Sequence, residues 1–448
     1  SAQVWPGWSA FPDFTNSDAR KWWGDQFKVY TDAGIQGFWN DMNEPACWGQ
    51  MPPNLIQFDF DGEGATHLQA RNVYGMQMAR ATRAGTEAQM NGERPFILTR
   101  AGFSGVQRYA AVWTGDNVAT DDHMVAGVRL VNSLGLTGVP FSGYDVGGFC
   151  GEASPGLFAR WIAIGAFSPF FRGHSMINSR DSEPWAYGEE VEEIARNFIG
   201  FRYQLMPYLY SVFHEAARSG APISRSMAFD APHDPNIYTA PYDAQYCFGP
   251  SILVAPIPSG KDLAKVYLPE GDWYAMANDK PHAGGQAHVC ELAIDTLPLF
   301  VKAGAIVPMQ SLVQSTDEAP DGVLRLHVYA GGEETVFACV EDDGLTRGGV
   351  ELRREWRHLP DARALHCSAG EGEFVSGFER VRVYLHGVSD ANVMVDGEAV
   401  DVVAEDVVWM QPISKFDPLG PPAGEAYGPA GVLAFEVDWG LGEMEIRY

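Results

Sequence analysis

The residues able to do chemistry in the first half of this chain fall at the ends of apolar runs. Gly37-Phe38-Trp39 leads into Asn40-Asp41-Met42-Asn43-Glu44-Pro45. Phe96-Ile97-Leu98-Thr99 ends in Arg100, and Ala111-Val112-Trp113 leads to Asp116. Val139-Pro140-Phe141 leads to Asp145, and Phe167-Ser168-Pro169-Phe170-Phe171 leads to Arg172 and His174. Carboxylates gathered in one pocket can serve as nucleophile, general acid or general base. Guanidinium groups beside them bind hydroxyls and keep them ionised. A polar strand end can also serve only to solvate a loop, but the same pattern recurring five times points to one shared pocket.

Something must bring these ends together. Each run reads as a buried strand, and helical segments separate the runs. Strand, helix, strand in repetition means a parallel sheet with helical crossovers, whose chemistry sits at the C-terminal strand ends. Ser17 to Ala33 reads as the first helix, with Ser17 at the N-cap and Gly34 just past the end. His67 to Gln89, His123 to Leu134 and Pro155 to Ala166 are the crossover helices. Val191, Ile194, Phe198, Phe201, Leu205, Tyr208 and Val212 recur every three or four residues, as in one amphipathic helix bent at Pro207. Pro52 to Gly64 reads as an irregular insertion.

From about Pro222 the texture changes to short β-rich runs punctuated by Gly, Pro and Asp, among them Ser251 to Ile257, Thr335 to Glu341, Arg380 to His386 and Val432 to Val437. The expected division is a barrel-like part over 1–234, a proximal β-sandwich over 235–310 and a distal one over 311–448. The fold class is α/β. A closed (β/α) barrel needs eight strands, and only five are legible.

Composition excludes some functions. The 448 residues carry a formal charge of -27, which repels phosphate backbones and anionic lipid. No nucleic acid and no membrane partner is expected, and no apolar run is long enough to span a bilayer. The six cysteines form no ligand cluster, so no metal site is expected. Gly147-Gly148 lacks the spacing of a dinucleotide loop, and no cofactor is implied. Trp39, Trp48 and Trp113 near the polar ends suit the C–H faces of sugar rings. The chain reads as soluble, cytoplasmic or periplasmic.

Several blocks, in order, resemble glycoside hydrolase family 31. They are Phe11-Pro12-Asp13-Phe14-Thr15-Asn16, Trp39-Asn40-Asp41-Met42-Asn43-Glu44-Pro45, Trp113-Thr114-Gly115-Asp116-Asn117, Asp145-Val146-Gly147-Gly148-Phe149 and Phe171-Arg172-Gly173-His174. Phe248 to Pro256 fits as well. The resemblance implies a (β/α)8 TIM barrel preceded by a β-sandwich and followed by two β domains. On that pattern this chain supplies strands four to eight and both trailing domains. A separate N-terminal fragment is expected to complete the barrel and to bring a further sugar-binding Asp.

The resemblance also implies roles. Asp41 would be the nucleophile and Asp116 the acid/base of a retaining α-glycosidase. Arg100 and Arg172 would bind hydroxyls, and Asp145 and His174 would be hydroxyl ligands. Trp113 and Phe149 would wall the sugar site, and Met42 follows the nucleophile as in the family. Glu44 reads as support for its loop. The Asp-Met-Asn-Glu form resembles the α-glucosidase branch, so the expected activity is release of terminal non-reducing α-linked glucose from oligosaccharides. Asp121-Asp122-His123 departs from the family, where a Trp is frequent, as does Arg71, where His is common. An α-galactosidase, an α-xylosidase, an α-transglucosylase and a non-catalytic carbohydrate-binding protein remain the rival readings.

Overall fold

The computed structural model describes residues 1–49, 52–240, 242–414 and 427–448. A short hairpin, β1 (Ala2–Val4) and β2 (Gly7–Ser9), opens the chain. Helices α1 (Ser17–Asp25) and α2 (Lys28–Thr31) lead to strand β3 (Gly37–Asn40). The expected insertion contains two-residue strands β4 (Gln57–Phe58) and β5 (Ala65–Thr66), which pair with each other. Helices α3 (His67–Ala70) and α4 (Tyr74–Gln89) then lead to β6 (Phe96–Thr99), followed by β7 (Ala111–Trp113). Helix α5 (Asp121–Leu136), strand β8 (Ser142–Val146), helix α6 (Pro155–Gly165) and strand β9 (Phe170–Gly173) complete the series.

Strands β3, β6, β7, β8 and β9 form one parallel five-stranded sheet in that order. Each of the five apolar runs therefore forms or leads into a strand of a single sheet, and the polar residues that follow them lie along one rim. Register does the rest. Asp145 stands opposite Arg172, and Gly143 opposite Phe170. A Cβ on Gly143 would lie 2.2 Å from the Phe170 carbonyl oxygen, so only glycine lets β8 and β9 approach this closely.

Three helix readings need correction. The helix expected over 17–33 is two helices, and its cap is Asn16, whose side chain accepts from the Asp18 and Ala19 amides. Gly24 packs against Gly85 of α4, where a Cβ would meet Gly85 Cα at 2.8 Å. The close crossing places a weak helix former just before the break. The expected bent helix is likewise two, α7 (Glu189–Gln204) and α8 (Met206–Ser219). Proline lacks the N–H that a helix interior needs, so Pro207 falls in the first turn of α8 rather than at a bend. The segment over 67–89 is likewise interrupted, by a tighter turn at Arg71–Val73.

Beyond α8 the described chain is largely β. A six-stranded sheet takes Ser224–Ser226, Tyr246–Phe248, Ile252–Val254, Leu299–Lys302, Asp272–Ala275 and Pro281–Ala283. A five-stranded sheet runs from Ile306–Met309 through Val323–Tyr329, Arg380–His386 and Val432–Asp438 to Val403–Glu405. A seven-stranded sheet contains Thr335–Glu341, Leu352–Leu359, Ala364–Cys367 and Met444–Arg447. One buried apolar cluster runs from α5 and α6 through α7 and α8 into both β units, so the trailing sheets brace the barrel helices. No helix among the described residues is long and apolar enough to cross a membrane.

Candidate active site

Arg100 organises the rim. It follows β6 directly, and its amide donates to the Asn40 carbonyl at the end of β3 at 3.0 Å. Its side chain reaches three carboxylates. Nε and Nη2 donate to the two oxygens of Glu44 at 2.7 and 3.1 Å, a two-point contact. Nη1 lies 3.1 Å from Asp41 Oδ1 and 3.8 Å from Asp116 Oδ1. Burial by itself would lower the Arg100 pKa, but Glu44, Asp41 and Asp116 together raise it. The guanidinium is thus a fixed positive charge between the two candidate catalytic acids.

Asp41 sits one residue past β3. Its Oδ1 also accepts the Met42 amide at 2.8 Å. Met42 adopts φ +56°, which folds the chain back over the carboxylate. Asn43 is buried and anchors the turn: Oδ1 accepts the Ala101 amide at 3.0 Å and Nδ2 donates to Thr99 Oγ1 at 2.9 Å. Glu44 therefore supports the loop, as read from sequence, through Arg100. Asn43 performs the same service, and sequence reasoning missed it; its only signal was an amide two residues from a carboxylate at a strand end.

The second half of the rim is built on β7, β8 and β9. Asp145 is fully buried and paired through Oδ1 with Arg172 Nη2. Burial pushes its carboxyl up to about 6, against the opposing pull of Arg172; Asp116 and Asp41 add to the rise. The Arg172 guanidinium lies over the rings of Trp39 at 5.3 Å and Trp113 at 5.4 Å. His174 meets Trp39 edge-on at 5.2 Å and stacks on Phe149 at 5.2 Å. Burial and the neighbouring Arg172 lower the His174 pKa, so its ring is neutral at pH 7. Trp39 joins Trp113 and His174 in the wall, a member that the strand pattern had signalled only by proximity.

The structure thus brings all nine candidate residues to one rim. Asp41, Met42, Arg100 and Asp116 lie on one side, and Trp113, Asp145, Phe149, Arg172 and His174 on the other. Asp145 Oδ2, Arg172 Nε and Trp113 Nε1 are buried without a protein hydrogen-bond partner. One acceptor and two donors left unpartnered on neighbouring strands are the complement that hydroxyl groups, which both donate and accept, can satisfy. Glu44, Arg100, Trp113 and Thr114 border a cavity of about 600 Å³ behind the rim. A larger cavity of about 970 Å³ lies among the trailing β sheets and holds none of these residues. Among the described residues no group of three or more His, Cys, Asp or Glu side chains is arranged to hold a metal ion.

The sequence model of the glycosyl hydrolases family 31 TIM-barrel domain matches residues 1–212, and that of the family's C-terminal domain matches residues 220–307. The chain belongs to glycoside hydrolase family 31. This family 31 chain is 40% identical over 410 residues to alpha-glucosidase 2 of Bacillus thermoamyloliquefaciens, covering 90% of this chain and 52% of that protein. It is 37% identical over 351 residues to neutral alpha-glucosidase AB of Homo sapiens, covering 76% and 37%. It therefore spans about half or less of the length of these curated relatives. Among solved structures, a glucosidase II alpha subunit superposes with a TM-score of 0.83 at 25% identity, over 100% of this chain and 50% of that one. A cycloalternan-forming enzyme of Listeria monocytogenes superposes with a TM-score of 0.80 at 25% identity, over 100% and 41%. The five-stranded parallel sheet is accordingly part of a TIM-barrel domain.

Proposed function

We propose that this chain carries the catalytic acids of a retaining α-glucosidase that releases terminal non-reducing α-linked glucose from oligosaccharides. The observation that carries the reading is the pair of carboxylates on one guanidinium nitrogen. Asp41 Oδ1 and Asp116 Oδ1 lie 3.1 and 3.8 Å from Arg100 Nη1, so their separation is at most the sum, about 6.9 Å. That limit, which holds for these two oxygens, accommodates the ~5–5.5 Å spacing of a double-displacement pair.

In this mechanism Oδ2 of Asp41 attacks the anomeric carbon, because Oδ1 is engaged by the Met42 amide and Arg100. Asp116 gives its proton to the departing glycosidic oxygen. It then takes a proton from the water that breaks the Asp41–sugar ester. Asp145, Arg172 and Trp113 Nε1 bind hydroxyls, while Trp39, Phe149 and His174 wall the ring. The α-glucosidase names of the relatives and the Asp-Met-Asn-Glu block both favour glucose. Likeness to a cycloalternan-forming enzyme supports a second reading, α-transglucosylation, in which a sugar hydroxyl replaces water.

The five strands would be strands four to eight of the barrel. Strands β3 and β9 each have one neighbour among the described residues, which leaves two edges for three more strands. We assign those strands to preceding polypeptide, continuous with this chain or separate from it. A denaturing intact-mass measurement on the native enzyme distinguishes the two arrangements. Asp41→Asn tests the chemistry: turnover of maltose should fall at least about 10⁴-fold with the near-UV circular dichroism unchanged. Unimpaired turnover would sink the assignment. Products from maltose, isomaltose and an α-galactoside then separate glucosidase, transferase and galactosidase.

A further inference from the structure

We propose that Asn117 is the positioning residue that sets the acid/base carboxylate in register with the sugar-binding wall. The inference rests on Asp116 being the acid/base. Asp116 is half exposed, and Arg100, at 3.8 Å, is its one ion-pair partner among the described residues. Its place is therefore set by its backbone.

That backbone is fastened by the next residue. Asn117 is buried. Its Nδ2 donates to the Asp145 carbonyl at 2.9 Å, and its Oδ1 accepts the Phe149 amide at 2.8 Å. Two main-chain bonds continue the seam: the Cys150 amide donates to the Asn117 carbonyl at 2.8 Å, and the Ala119 amide donates to the Cys150 carbonyl at 2.8 Å. The loops touch along this seam, since a Cβ on Gly148 would lie 2.5 Å from Ala119 Cα. Asp145 faces the sugar hydroxyls and Phe149 stacks on His174. One amide side chain thus spans the two loops whose spacing decides the reaction.

The chemical consequence is specific. Proton transfer needs Asp116 within about 2.6–3.2 Å of the glycosidic oxygen, while the sugar is placed by the Asp145–Phe149 loop. Losing the Asn117 link shifts the acid relative to the sugar. A shift of about 1 Å costs on the order of 10²-fold. Only steps that need the proton suffer. With α-glucosyl fluoride the C1–F bond breaks as the Asp41–C1 bond forms, and fluoride leaves with the electron pair, unprotonated. Azide, already anionic, then cleaves the Asp41–C1 ester without giving up a proton and forms glucosyl azide.

The test compares Asn117→Ala and Asn117→Asp with the wild-type complete enzyme on maltose and on α-glucosyl fluoride, with and without azide. Asn117→Asp keeps the side-chain shape and the acceptor for Phe149 but loses the donor to Asp145, so it remains informative if the alanine variant folds poorly. The expected result is a fall of about 10²-fold in kcat/KM on maltose. On the fluoride the loss should be within about threefold, with azide raising turnover and yielding glucosyl azide. Equal losses on both substrates, without azide rescue, would mean that Asn117 only stabilises the loop and would overturn the inference. A wild-type enzyme inert on both substrates would overturn the functional reading itself, and this inference with it.

Discussion

Asp145→Asn separates what this carboxylate does for the fold from what it does for the site. Asp145 is fully buried, and burial outweighs Arg172 to raise its carboxyl from 3.8 to about 6. An acid whose folded-state pKa lies above its unfolded value binds its proton more tightly in the fold. Its stabilising contribution is complete below the unfolded value and is lost as pH rises through about 6. The offset of about two units corresponds to about 3 kcal/mol, of which roughly 1.4 kcal/mol falls between pH 5 and 8. Asparagine has nearly the shape of the protonated acid and does not titrate. Between pH 5 and 8 the wild type should therefore lose roughly 1.4 kcal/mol of stability relative to the variant. Activity should move the other way. Losing a charged acceptor for a sugar hydroxyl costs about 1.5–3 kcal/mol, or roughly 10- to 150-fold in kcat/KM. Urea midpoints at pH 5, 6, 7 and 8, followed by tryptophan fluorescence, measure the first effect, and initial rates on maltose measure the second. A stability difference that is flat across this range, or that favours the wild type more as pH rises, would show that Arg172 overrides burial and would refute the reasoning.

Other substitutions probe the parts that hold the rim. Asn43→Ala leaves the Ala101 amide without a partner and removes one of the two hydrogen bonds of Thr99 Oγ1, so the urea midpoint should correspond to a loss of about 1–3 kcal/mol; an unchanged midpoint would remove Asn43 from the anchor. Gly143→Ala places a Cβ against the Phe170 carbonyl and should cost about 3 kcal/mol or more, seen as lost soluble yield or a lowered thermal midpoint. Glu44→Gln keeps the shape but weakens the grip on Arg100; steady-state kinetics should show kcat down about tenfold with KM nearly constant, and a change confined to KM would contradict the positioning role.

Parts of this architecture were legible because they depend on local pattern. The five strands announced themselves as apolar runs closed by polar residues, although only β7 and β8 are buried along their whole length, while β3 alternates buried and exposed positions. The rim residues followed from the same fact, and the family resemblance named their roles. Helix limits were less legible. Asn16 displaced Ser17 as the cap because an amide oxygen one residue earlier reaches two free N–H groups. Pro207 started a helix where a bend was expected, because a residue without an N–H fits the first turn of a new helix better than the interior of a continuous one.

The sequence by itself determined which residue types stand at each strand end, because side-chain identity and apolar periodicity are local properties. Only the tertiary structure decided that Arg100 is shared by Glu44, Asp41 and Asp116, that Trp39 enters the wall, and that Asn117 bridges to the Asp145 loop. These are contacts between strands and loops far apart in the chain. They depend on parallel register and on the direction each side chain takes from its strand, and neither is written in any one segment.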